Sequence, residues 1–241
     1  MQIGSSQGPT RFENARGVIL RVRRLTESSL IVHWLTAESG RISTVAKGAL
    51  RPKSAFGGKL DIFHVADFGF SRSRRSDLHT LREVRLAGTF PLLRTELKAL
   101  QQAAYCATFL EQTTEADTPL PGMYEMFVGF LGSLRADEGG RLAGGSERVL
   151  AFELRLLAVL GLEPDWEESR LPAESRAVVE HLAQASWEEI SRTTVPPASQ
   201  QGLRRFLQGF LIYNFGRLAK GREAALAQDM RMPARAPGQD R

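Results

Sequence analysis

Seven cations gather in the first third of the chain: Lys47, Arg51, Lys53 and Lys59 in or beside one irregular stretch, and Arg72, Arg74 and Arg75 in another. Asp61 and Asp67 are the only acids between them. Runs of positive charge usually mean no more than a solvated face. Cations concentrated on two neighbouring loops with so few acids instead suit a polyanion whose charges repeat along a backbone, because each phosphate neutralised releases condensed counterions. Phe56, inside the first stretch, is placed to stack on a base, whereas Trp34, Phe63, Phe68 and Phe70 fall in segments that read as strands and mostly as core.

Catalytic side chains do not assemble in this way. No G-x-G-x-x-G or H-E-x-x-H pattern occurs. Gly57-Gly58-Lys59 is followed by Leu60 rather than Ser or Thr, and Lys53 stands where a phosphate-binding loop needs its first glycine. His33, His64, His79 and His181 are scattered, and Cys106, the single cysteine, lies in a helical stripe where it reads as a small buried hydrophobe. One cysteine excludes an internal disulfide and a thiolate zinc site. A non-catalytic binding protein without a cofactor is the expectation. An adaptor whose basic domain faces an acidic protein is the alternative.

The elements that hold the two basic loops repeat with period 2 from residue 16 to residue 90. Residues 17–23, 30–36 and 41–47 read as three short strands, with Glu38-Ser39-Gly40 as a hairpin turn between the last two. Residues 48–58, with Pro52 and Gly57-Gly58, break the pattern. Residues 60–70 and 78–90 read as two more strands. Five short strands in about 75 residues match an OB-fold barrel, the partly open Greek-key barrel that often binds nucleic acid, and an SH3-like barrel fits the count nearly as well.

Beyond residue 90 the period becomes 3.6. Helices are expected over residues 95–114, 123–135, 149–162, 172–185 and 186–192, with a last one running from about Ser199, as its cap, to about Arg222. Ser146 stands at the N-cap position of the third. That third helix is apolar almost all round and is expected to be the buried centre of the second domain. The outer face of the last helix carries Arg204, Arg205, Gln208, Arg217, Lys220 and Arg222. The organisation expected is a flexible segment over 1–15, a barrel over 16–90, a helical domain over 91–228 and a disordered tail over 229–241, an α+β multidomain chain.

With 241 residues, 42% apolar and 24% charged, the chain can bury a large core and is neither mainly disordered nor collagenous. No apolar run reaches the length of a membrane span, and the first 15 residues lack a secretory signal, so a cytoplasmic protein is expected, nucleoid-associated in so far as its polyanion is DNA. The net charge of +5 hides an uneven distribution. Residues 1–90 hold 15 Lys/Arg against 7 Asp/Glu, residues 91–203 hold 9 against 17, and residues 204–241 hold 8 against 3. A basic first third and an acidic middle point to two units with different partners, the first of them polyanionic.

Gly17-Val18-Ile19-Leu20, the Glu27 to Val32 strand entry, Ser39-Gly40-Arg41, and above all Ala46-Lys47-Gly48-Ala49-Leu50-Arg51-Pro52-Lys53-Ser54 leading to Phe56-Gly57-Gly58 resemble the amino-terminal domain of the bacterial RecO recombination mediators. The stretch LLAVLGLEP over residues 156–164 and the helix over 204–222 are similar to that family's second half. The resemblance implies an OB-fold followed by a helical domain in a DNA-repair protein of the RecF pathway. Such a protein binds single- and double-stranded DNA, anneals complementary strands, associates with RecR, contacts the acidic tail of single-stranded DNA-binding protein and helps recombinase load onto coated strands. It also implies an apolar pocket with a basic rim for that tail, for which Arg135, Arg141, Arg148 and Arg155 are the candidates. Many members carry two C-x-x-C pairs as a zinc site. Here Asp165-Trp166-Glu167-Glu168-Ser169 runs almost directly into Leu171-Pro172, so zinc is not expected.

Overall fold

The computed structural model describes residues 11–169 and 171–227. Five strands, β1 (Phe12–Arg24), β2 (Leu30–Thr36), β3 (Gly40–Ala46), β4 (Val65–Ser71) and β5 (Leu78–Gly88), close a barrel in the order β1-β2-β3-β5-β4. All neighbours are antiparallel except β3 and β5, which run parallel. This is the OB-fold arrangement expected from the strand count. The long β1 makes closure possible, because its first half pairs with β4 and its second half with β2. A bulge between Ile19 and Arg21 bends the strand where it changes partner.

Alternation decides what fills the barrel. Ile19, Val32, Trp34, Ile42, Ala46, Phe68, Phe70, Leu81 and Val84 point inward and are buried. Trp34 stacks on Phe68 with centroids 4.0 Å apart and donates its indole N–H to Thr44 Oγ1 at 2.9 Å, so its one polar atom is satisfied. Gly17 is needed beside this pair, since a Cβ there would stand 2.9 Å from the Leu35 carbonyl oxygen and 3.1 Å from the Phe68 ring.

Eight helices follow among the described residues: α1 (Leu92–Thr95), α2 (Leu97–Thr113), α3 (Met123–Ser133), α4 (Glu147–Val159), α5 (Ala173–Gln184), α6 (Trp187–Arg192), α7 (Pro197–Phe215) and α8 (Arg222–Leu226). The central α4 buries ten residues, including Val149, Leu150, Phe152, Leu156 and Leu157. Val18, Leu20, Leu35, Phe63 and Val65, on the outside of the barrel, belong to the same buried cluster as α2, α3 and α4. The barrel and the helices therefore share a core.

Several expectations about boundaries need correction. Strand β1 starts at Phe12, not after residue 15, because Phe12 to Arg16 pair with Ser71 to Asp67 of β4. Strand β4 starts at Val65, not near residue 60. Phe63 takes a left-handed φ of 63° and seats its ring in the core shared with the helices, which breaks the alternation. The last long helix stops at Phe215, where Gly216 adopts φ 73°, and Arg222 opens the separate α8. Its N-terminus is set by Pro196 and Pro197, and Ser199 lies buried inside the first turn instead of capping it. Ser146 holds the N-cap position of α4 but makes no capping bond, and its hydroxyl accepts from Gln200 Nε2 at 3.3 Å. The expected tail over 229–241 lies outside the described residues.

Candidate nucleic-acid interface

Residues 47–60, the first part of the connection from β3 to β4, form a succession of tight turns. Arg51 N–H donates to Gly48 O (3.1 Å), Ser54 N–H to Arg51 O (3.0 Å), Gly57 N–H to Ser54 O (3.1 Å) and Lys59 N–H to Phe56 O (3.1 Å). Ala49 is buried as an anchor, and Phe56 and Leu60 pack against the barrel interior, so the segment plugs one mouth of the barrel. Lys47, Arg51 and Lys53 project into solvent from this rigid frame and make no ion pair among the described residues. Lys59 is half-buried, and its carbonyl oxygen accepts from His64 Nδ1 at 3.1 Å.

The same mouth holds two cations that loop-based reasoning missed. Arg23 and Arg24 end β1, exposed and unpaired among the described residues, and pair across the sheet with Ile31 and Leu30. The β1–β2 turn is tied to the basic loop by Leu50 N–H donating to Ser28 O at 3.0 Å. Alternation of Arg21 and Arg23 with Val18, Leu20 and Val22 was the available signal, but only the backbone bond between the loops shows that these charges join the others.

The second basic cluster does not. Strands β3 and β5 are parallel, with Ser43 opposite Leu78 and Val45 opposite Thr80. Residues 72–77 therefore approach the Gly40 end of β3, while residues 47–53 leave its Ala46 end, so the two loops are not adjacent as expected. Arg72 is also committed elsewhere. Its guanidinium contacts Glu13 at 3.0 Å and Asp117 at 2.7 Å and lies 5.5 Å from the Phe70 ring centroid. The Asp117 and Glu13 carboxylates raise its pKa above the usual arginine range. Arg72 joins the barrel to the segment after α2, whereas Arg74 and Arg75 stay exposed in the turn. Phe56 likewise faces the barrel core rather than solvent.

The four arginines of the helical half separate in a similar way. Arg148 is 1% exposed and donates to the Ala143 carbonyl, and burial lowers its pKa to about 10. Arg155 donates to the Leu182 and Ala185 carbonyls at the end of α5 and stacks 4.4 Å above Trp187. Neither suits the rim of a peptide pocket, because both guanidinium groups are taken up by backbone carbonyls within the domain. Arg135 and Arg141 are exposed on residues 135–143, folded back by Ala143 N–H donating to Arg135 O at 2.9 Å. Arg135 borders a cleft of about 480 Å³ whose walls include Phe90, Pro91, Leu92, Leu131 and Leu134. Arg222, expected on an outer cationic face, is instead buried in a bidentate pair with Glu153 at 2.7 and 2.9 Å, and Tyr105 donates to the same carboxylate.

Among the described residues no three His, Cys, Asp or Glu side chains converge as a metal site, and Cys106 is fully buried in α2. The residues do not fit the zinc site that the resemblance associates with other members.

The chain is thus of the α+β class that sets a closed five-stranded OB-fold barrel against a bundle of helices, and the comparisons with known proteins supply its family. Residues 11–90 match the family described as Recombination protein O N terminal, and residues 94–170 match Recombination protein O C terminal. A DNA repair protein RecO from Rhodopirellula baltica is 29% identical over 211 residues, covering 76% of each chain. Others from Leuconostoc citreum (30% over 162 residues) and Listeria monocytogenes (28% over 166 residues) align with 66% and 68% of this chain and 59% and 62% of their own lengths. The chain belongs to the RecO family of DNA repair proteins.

Proposed function

We propose that the barrel mouth formed by residues 23–29 and 47–53 binds the phosphate backbone of single- and double-stranded DNA, and that the protein uses it to bring complementary strands together. The observation that carries this reading is the set of exposed, unpaired cations, Lys47, Arg51 and Lys53, held on consecutive hydrogen-bonded turns. Their guanidinium and ammonium groups are not consumed by neighbouring carboxylates, unlike Arg72, so they remain available to phosphate. A rigid frame also lowers the conformational entropy lost when they are engaged.

The mechanism is non-catalytic. Two strands held on one basic surface repel each other less and meet at a raised effective concentration, so annealing needs no acid, base or nucleotide. The helical half contributes protein contacts: RecR, and the acidic, apolar tail of single-stranded DNA-binding protein, through which recombinase loading onto coated strands would be assisted. The cleft bordered by Arg135 suits that tail, being apolar with a cation at its edge.

Replacing Lys47, Arg51 and Lys53 together by alanine tests the central claim. Affinity for a single-stranded oligonucleotide should fall, and the dependence of log K on log salt should flatten by up to about 0.7 for each phosphate no longer neutralised. The melting temperature should stay at the parent value. Unchanged affinity and salt slope would show these residues to be a solvated surface only.

A further inference from the structure

We propose that Leu25 and Leu50 form an apolar contact for unstacked bases at the barrel mouth, next to the cations assigned to phosphate. This deepens the DNA-binding reading and rests on it. Both side chains are large, aliphatic and open to solvent, at 45% and 44% exposure, although Leu30 and Ala46 a few residues away turn inward to the barrel core.

The two leucines are held in place. Leu25 N–H and Thr26 N–H both donate to Ser29 O, at 2.9 and 3.3 Å, and Ser29 N–H returns a bond to Thr26 Oγ1 at 3.1 Å. Leu50 is fixed to the same turn through Ser28 O, while its neighbour Ala49 is buried beneath it. Arg23, Arg24, Lys47, Arg51 and Lys53 are exposed on the same two segments without ion pairs among the described residues, and Glu27 is the only acid in those segments.

Among the described residues the barrel supplies no exposed aromatic alternative at this mouth. Phe56 packs against the interior, and Trp34, Phe68 and Phe70 are 0%, 3% and 1% exposed. A nucleic-acid strand neutralised by the cations thus meets aliphatic side chains where its bases lie. Bases stacked within a duplex hide their faces, whereas those of a single strand or a strand junction do not, so the contact favours unpaired DNA. Apolar wedges such as leucine pack between base steps of a duplex only at the cost of unstacking them, a cost that an already unstacked strand does not carry. Two isolated leucines are too small a surface for the centre of a stable protein interface, which needs about 800 Å² on each partner.

The test compares an oligothymidylate with an abasic oligomer of the same length and charge, using the full chain and its Leu25→Ser/Leu50→Ser variant. Both substitutions are at exposed positions, and melting confirms that the variant folds. The parent should prefer the base-bearing strand by about tenfold, and the variant should lose most of that preference while keeping the parent's salt slope. Equal binding of both strands by the parent, or a variant that keeps the preference, overturns the proposal while leaving the phosphate reading intact. A variant that keeps the preference but loses affinity for polyglutamate assigns the leucines to an acidic protein and also overturns it. If the parent holds neither strand, the DNA-binding reading itself fails, and this inference with it.

Discussion

Arg51 and Arg72 are indistinguishable as letters in a basic segment, yet one faces solvent and the other bridges Glu13 and Asp117. What separates them is whether a carboxylate from a distant part of the chain arrives beside the guanidinium. His33 shows the same dependence on surroundings. It lies on β2, with Ser43 Oγ 3.1 Å from its Nδ1 and Glu111, Arg21, Arg23 and Arg41 as its charged neighbours. Desolvation lowers its pKa below the ordinary 6.5, Glu111 opposes the shift, and the three arginines reinforce it. The unfolded chain therefore binds this proton more readily than the folded one, so His33 makes stability fall as pH drops below about 6.5 toward its folded pKa. Denaturant midpoints measured between pH 7.5 and pH 5 should show a smaller decline in His33→Gln than in the parent. An identical decline would mean that His33 titrates normally.

Elements meet where the segment after α2 crosses the barrel. Asp117 N–H donates to Arg41 O at 2.8 Å, Arg41 Nε donates to Thr114 Oγ1 at 2.7 Å, and Arg21 of β1 pairs with Glu111 of α2. Gly40 lies under this crossing with φ 65°, and a Cβ there would overlap the Thr118 carbonyl. The residue thus has two reasons to be glycine, a left-handed backbone and a backbone neighbour that cannot swing aside. Gly40→Ala should cost about 1–3 kcal/mol in urea unfolding, by strain and by displacement of the segment over 114–118. A loss below about 0.5 kcal/mol would show that the crossing shifts without resistance. DNA affinity should change little, because residues 47–53 leave the other end of β3.

The molecule as a whole is tied together by the apolar cluster that runs from Val18, Leu20, Leu35, Phe63 and Val65 into Ala103, Phe127, Phe130 and Phe152. Phe63 and Phe127 make a ring contact across this boundary at 6.3 Å. Either half cut away would expose this surface, so urea unfolding of the full chain should be a single transition seen alike by tryptophan fluorescence, which includes the barrel's Trp34, and by far-UV dichroism, which is dominated by the helices. Two separated transitions would show that the shared core does not couple the domains. For the same reason a helical fragment starting at residue 91 is a poor reagent for partner binding, and substitutions in the full chain are preferable.

The barrel and six of the eight helices were legible in the chain because they depend on periodicity: Ile42, Thr44 and Ala46 of β3, or Leu203, Phe206, Leu207 and Phe210 of α7, turn to one face wherever the element sits, whereas α1 and α8 are too short to show a period. The charge asymmetry and the turn-rich loop over 47–58 were legible for the same reason, being local properties. Pairing partners were not local. Whether Arg148 reaches solvent, whether Arg222 meets Glu153, whether Phe56 stacks on a base or plugs a barrel, and whether two basic loops lie together or at opposite ends of β3 all depend on contacts between residues far apart in the chain. A long polar side chain is neutralised by whatever group folding brings within about 4 Å, and no spacing rule over a few residues encodes that distance. Packing therefore narrowed seven loop cations to those at one barrel mouth and placed Arg23, Arg24, Leu25 and Leu50 beside them, because the bond from Leu50 to Ser28 joins two turns separated by β2 and β3.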